Sequence, residues 1–174
     1  IKEENPGAYI LDVTSSSEQH DGKILSPFYP HGRIPIPGES KTVTATCVEA
    51  IWQGLKVFEN EGIDLAMFRN DTMKNIKRTV RKFGKPLGHQ YGVFSKTLLN
   101  YEDAKRLIYI PTYKYVLENV PSVIRSLDKI RKLLETQDVV LLDYNLNPDN
   151  ADKSKPLSHA ELIKMYLEGR YPEE

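Results

Sequence analysis

The sequence predicts an α+β fold: a helix-rich single domain spanning residues 1–174, with a small sheet. Three observations predict it. Stretches with helical periodicity outnumber strand candidates, and the strand candidates lie towards the two ends of the chain instead of alternating with helices. The length, 174 residues, is enough to bury one sizeable core and falls short of two ordinary domains. No repeat, low-complexity tract or linker interrupts it.

Taken in order, the elements have local causes. Ala8 to Val13 is apolar and β-branched at its end, so it is predicted as a strand, closed by a turn at Ser15, Ser16 and Ser17. Residues 22 to 40 are rich in Gly and Pro yet carry Phe28, Tyr29, Ile34 and Ile36. Disordered loops seldom hold so many large apolar side chains, so an ordered, packed loop is expected. A short strand, Thr42 to Ala45, leads to a helix expected from Thr46. There Thr46 and Glu49 have the spacing of a capping box, and Val48, Ile51, Trp52, Leu55 and Phe58 keep helical spacing up to Gly62. A second amphipathic stretch runs from Asp71 through Met73, Ile76, Val80 and Phe83 to Gly84, and further helices are expected from Asn100 and Pro121. Val139 to Leu142, bounded by Asp138 and Asp143, is predicted as a buried strand, and a last helix starts at Ser158 and stops at Gly169.

Lysine plus arginine equals aspartate plus glutamate at 24 each, which removes bulk attraction to nucleic acid or membrane and leaves only local patches. No apolar run approaches the roughly 18 residues a membrane span needs. The chain opens on Ile1 instead of Met, so a trimmed start is expected. The single cysteine, Cys47, forms no internal disulfide and points to a reducing compartment, the cytoplasm. Its place at a helix mouth allows a reactive thiol; a buried, inert thiol is the expected alternative.

Three groups of residues can carry chemistry. On the helix from Thr46, Glu49, Gln53, Lys56 and Asn60 fall within about 60° of each other at roughly 100° per residue, with Trp52 at their flank. A carboxylate, an amine and an aromatic side by side suit a flat polar ligand, although capping and a solvated face also account for such a stripe. The second group is the basic segment Arg69, Lys74, Lys77, Arg78, Arg81, Lys82 and Lys85, opposed only by Asp71, with Gly88, His89 and Gly92 in a loop after it. Backbone N–H groups and cations there suit phosphates, while a solvated face followed by an ordinary turn is the alternative. The third is the Asx-rich stretch from Asp143 to Asp152, where Asn147, Asp149 and Asp152 lack the Gly and terminal Glu of a calcium loop and fit a simple turn. No zinc spacing, P-loop or dinucleotide fingerprint is present, and no metal or cofactor is expected.

Leu25-Ser26-Pro27-Phe28-Tyr29-Pro30, a glycine loop at Gly38, and then Val48-Glu49-Ala50-Ile51-Trp52-Gln53-Gly54-Leu55-Lys56 resemble the NADAR (YbiA-like) family, over about a fifth of the chain. Pro27 stands where that family has Asn, and Ala50 where it has His. The late Trp-Gly segment has no counterpart, which leaves Asp149 or Asp143 to stand for its aspartate. The chain looks like a distant branch.

The resemblance implies a NADAR-like domain that is an N-glycosidase, a hydrolase acting on a ribose-phosphate ligand. It would remove ADP-ribose from modified guanine nucleobases, ADP-ribosylated nucleic acid included, or release the base of a ribosylamino pyrimidine phosphate. Such cleavage passes through a cation at the sugar carbon, which a nearby carboxylate stabilises. The resemblance gives that role to Glu49, with Lys56 setting its ionisation or meeting the opened sugar aldehyde, and with Asp149 as a further catalytic carboxylate. Phe28, Tyr29 and Trp52 would stack on the base; Gln53 and Gly88 would complete substrate binding, and the basic segment, Arg81 included, would hold phosphates together with His89. The alternatives are a non-catalytic module that binds ADP-ribose or a nucleotide, and a nucleic-acid interaction protein using residues 69 to 85.

Overall fold

A computed structural model describes residues 4–144 and 157–173 of the chain. In chain order the elements are β1 (Tyr9–Asp12), α1 (His20–Lys23), β2 (Ile34–Pro35), β3 (Thr44–Ala45), α2 (Val48–Gly54) and β4 (Lys56–Val57). A 3₁₀ turn (Leu65–Arg69), α3 (Val80–Phe83), β5 (Gly88–Gln90) and β6 (Leu98–Leu99) follow. Next come α4 (Tyr101–Ala104), a π-helical turn (Lys105–Tyr109), α5 (Ile110–Asn119), α6 (Pro121–Leu134), β7 (Val139–Leu142) and α7 (His159–Leu167). The fold is α+β, rich in helix, with its strands in three small sheets. The chain forms two compact units: one from the residues up to Ser26 together with Leu117 to Pro172, the other centred on Pro27 to Val116.

The first unit is built on a parallel pair of the two terminal strands. β1 and β7 run in register from Tyr9 opposite Val139 to Asp12 opposite Leu142. A parallel pair cannot close through a tight turn, so its strands come from distant parts of the chain. The far edge of β1 is not left bare: the Gln19 side chain accepts from the Asp12 N–H at 2.7 Å and donates to the Ile10 carbonyl at 3.2 Å. α6 starts with proline in its first turn and buries Val123, Leu127 and Ile130, spaced four and three residues apart on one face. Each such side chain contributes about 1.5–3 kcal/mol on leaving water. In α7 the Ser158 hydroxyl accepts from the Glu161 N–H at 3.3 Å, and Gly169 at φ 73° closes the other end. His159 ties these parts together: Nδ1 lies 3.0 Å from the Asp143 carboxylate and Nε2 lies 2.7 Å from the Val13 carbonyl. Burial alone would raise the Asp143 carboxyl, but the hydrogen bond and charge of His159, with the Tyr144 and Ala160 N–H groups, hold it below its ordinary value.

The second unit contains the antiparallel sheet β4-β5-β6 and the short pair β2-β3. The proline-rich loop packs as expected, with Ile34 and Ile36 buried. The 3₁₀ turn lies so close to α2 that a Cβ on Gly54 would meet the Phe68 ring at 2.5 Å.

Three expectations are corrected here. The cap of α2 is Cys47, whose sulfur accepts from the Ala50 N–H at 3.3 Å, while the Thr46 hydroxyl donates instead to the Asn70 carbonyl at 2.5 Å. And α2 ends at Gly54, not Gly62, because Leu55 to Val57 turn into the sheet: Gln90 and Leu87 donate to the carbonyls of Leu55 and Val57, both at 2.8 Å. Arg78 fixes that turn, its guanidinium donating to the carbonyls of Lys56 at 2.6 Å, Gln53 at 3.4 Å and Gly62 at 2.5 Å. The stretch from Asp71 is likewise helical only at α3, with Met73 and Asn75 at positive φ before it.

Candidate functional site

The site grows from the half-buried flank of a short helix. α2 buries Val48, Ala50 and Ile51 and leaves Glu49 and Trp52 half-buried. Phe28 packs on the core beneath, against the cluster of Cys47, Ala50, Met67 and Ile76. One turn on from Glu49, Gln53 is 8% exposed, and its Nε2 donates to the Glu49 carboxylate at 2.9 Å. The direction of that amide is settled from its other end, where its oxygen accepts from the Arg78 N–H at 3.1 Å. With the oxygen so committed, only the NH₂ can face Glu49. The carboxylate therefore has a fixed neighbour, itself fixed by a third residue.

β4 and β5 supply the next two groups. Lys56 and His89 are opposite each other in the antiparallel register. Burial lowers the Lys56 ammonium below the ordinary lysine value; the Glu49 carboxylate works against that shift and Arg78 with it. His89 is 2% exposed, and burial followed by the Lys56 charge pushes its pKa down to about 3, so the imidazole is neutral near pH 7. Its ring lies 3.9 Å from that of Trp52 at an angle of 32°. Among the described residues neither ring nitrogen has a hydrogen-bond partner. The Trp52 carbonyl leans on the ring and slightly favours its charged form, without meeting hydrogen-bond geometry.

Tyr101 and Tyr109 meet Trp52 edge-on, with centroids 6.0 and 5.7 Å away. Burial raises the Tyr101 phenol and Glu49 raises it further. Lys105, 6% exposed on the π-helical turn, sets its ammonium 4.4 Å above the Tyr101 ring. Such turns are frequent where a helix presents a functional side chain. Nothing in the acid and base pattern points to Tyr101, Lys105 and Tyr109. Their i, i+4, i+8 spacing was the available signal, since it puts all three on one helical face.

The other expected residues fall apart from this group or outside it. Lys56 keeps within the reach of the Glu49 charge through β4, not along a helical stripe, and Asn60 lies beyond the helix. Tyr29 pairs with His31 at 5.1 Å. Gly88 is in a strand instead of a loop, where a side chain would run into the Leu99 carbonyl, which accounts for the glycine without any ligand. Arg81 is exposed on α3. Of the seven basic residues in the segment, Arg78 is 4% exposed and structural, lying 4.7 and 5.2 Å from the Phe58 and Phe83 ring centres. Asp149, with Asn147 and Asp152, lies outside the described residues. Cys47 is buried and its thiol is pushed up to about 11, chiefly by burial, so it is no nucleophile near neutral pH.

Three cavities of about 460, 290 and 520 Å³ open elsewhere in the molecule: two in the first unit beside α6, the third between Ile36, Val43, Leu65 and Phe68. None of these three is lined by Glu49, Trp52 or His89. Their walls hold no converging polar groups of shifted pKa, so the chemistry points to the α2 cluster even though none of these hollows is lined by its charged or aromatic side chains. Among the described residues no three His, Cys, Asp or Glu side chains gather as metal ligands, and no helix is long and apolar enough to cross a membrane.

No curated protein and no solved structure matches the chain. A protein family does match, over residues 1–163, which takes in α2, the three-stranded sheet and the segment that carries Tyr101, Lys105 and Tyr109; the chain belongs to DUF6939, a family of unknown function.

Proposed function

We propose that this protein is an N-glycosidase acting on a ribose-phosphate ligand, with Glu49 as the carboxylate beside the sugar carbon that becomes positive. The observation that carries it is the chain Arg78 N–H to Gln53 to Glu49, which holds one half-buried carboxylate oxygen in a set direction. In the reaction the bond between sugar C1 and the base nitrogen breaks, and its electron pair leaves with the nitrogen. The Glu49 charge stabilises the cation left on C1. Water adds its oxygen to that carbon, and its proton ends on the departing base. Lys56, its ammonium destabilised by burial, supplies an amine beside the carboxylate, and the flank of Trp52 offers an aromatic surface for the base.

The sequence resemblance of residues 25–58 to the NADAR family is the support for a NADAR-like fold and for two substrate classes, ADP-ribosylated guanine and ribosylamino pyrimidine phosphates. The single cysteine, Cys47, buried and outside any disulfide, supports a cytoplasmic setting. The purified protein, incubated with each substrate class and followed by mass spectrometry, should release a free base from one of them. Release from neither rejects the proposal.

A second reading has its own observation. Arg69, Lys74, Lys77, Arg81, Lys82 and Lys85 are all exposed, and none has an ion-pair partner among the described residues. Such a strip favours a protein that holds a polyanion such as nucleic acid without turning it over.

A further inference from the structure

Among the described residues, His89 is the buried side chain least explained by the fold. It is 2% exposed and both of its ring nitrogens lack partners. A buried polar group without a partner costs about 1–3 kcal/mol, and native proteins seldom leave one unless something absent from the chain completes it. The ring is also held in place: one face lies against Trp52 at 3.9 Å, and the strand carrying it is paired on both sides, to Lys56 and to Leu99. The groups that act on it are Lys56, by charge, and the Trp52 carbonyl; Glu49 acts in turn on Lys56 by charge. A side chain with only a packing role would serve as well as phenylalanine. A neutral imidazole adds one donor and one acceptor, set about an aromatic plane.

We propose that His89 is the base-recognition residue of the site, giving a hydrogen bond from its ring to the polar edge of a planar heterocycle on the ligand. This rests on the ribose-phosphate reading above. Recognition falls on the base and not on the phosphate, because an uncharged ring contributes little to an anion, whereas an orphaned donor and acceptor reject any ligand that lacks a matching edge.

GMP and ribose 5-phosphate share sugar and phosphate and differ in the base, so calorimetry with both, on wild type and His89→Phe, isolates the contact. Wild type should bind GMP about tenfold more tightly than ribose 5-phosphate, the size of one buried hydrogen bond. His89→Phe should keep the ring contact with Trp52, lose that preference, and melt at the same or a higher temperature, since an unsatisfied polar group is gone. A structural histidine would instead melt lower when replaced. Without any variant, the His89 ring nitrogens in long-range ¹H–¹⁵N spectra should shift with GMP and stay still with ribose 5-phosphate. Equal binding of the two probes by wild type, a preference that survives in His89→Phe, or an unmoved ring overturns the assignment of His89 while the ribose-phosphate reading stands. Failure of both probes to bind overturns the two together.

Discussion

Gln53 sets the geometry of the site without being the group that would react. Its amide joins a backbone N–H on one side to a carboxylate on the other. Gln53→Ala should therefore cost about 1–3 kcal/mol, because the buried Arg78 N–H is left with no acceptor; urea denaturation measures it. In the other unit Asp143 offers a pH test. Its folded pKa is depressed below the ordinary 3.8, so its contribution is complete above that value and is lost as the pH falls through the lower, folded one. The stability gap between wild type and Asp143→Asn should be on the order of 2 kcal/mol near pH 7, begin to narrow below about pH 4, and close only below the depressed folded value. A gap constant with pH would mean the charge is not what matters. Glu49, Gln53 and Trp52 were legible in the sequence because i to i+4 spacing and flank position follow from helical geometry alone. Which of seven cations would be buried was not: Arg78 is distinguished only by the carbonyls it reaches, and those belong to residues 16 to 25 positions earlier.

The helix that carries the site is shorter than its own periodicity suggests. Leu55 and Phe58 continue the apolar spacing and are both buried, so the pattern read as helix to Gly62. Two things that pattern cannot express decide otherwise: glycine at position 54, where the Phe68 ring leaves no room for a Cβ, and a guanidinium that takes up the carbonyls at the turn into β4. Arg78→Met should cost on the order of 3 kcal/mol, since several carbonyls lose a charged donor at once. Arg78→Lys should not restore it, because a single ammonium cannot reproduce the planar fork. Thermal or urea melts of the two variants check this, and a lysine variant as stable as wild type would show that charge alone suffices. The strand at Gly88–Gln90 was hidden for a related reason: three residues between two glycines look like a turn until the partners on either side, β4 and β6, are known.

For the whole molecule, overall charge neutrality conceals a local excess. Residues 69 to 85 hold seven basic side chains and one acid, and six of the seven face solvent. If this strip binds nucleic acid, affinity for a short oligonucleotide should fall by a power law in salt, with a slope that lessens by about one as each phosphate-contacting lysine is removed. A flat salt response would leave the strip as a solvated face. The α+β class and the terminal strands were legible because β-branched and apolar runs at both ends have few other uses. That they pair with each other in parallel depends on a crossover no local pattern records. The function proposed here turns on Glu49, and replacing it by its uncharged isostere is the direct measurement. Glu49→Gln should fold, bind ribose 5-phosphate as wild type does, and lose base release by about a hundredfold or more, the scale seen when one electrostatic contact to a transition state is removed. Base release at the wild-type rate would contradict the account.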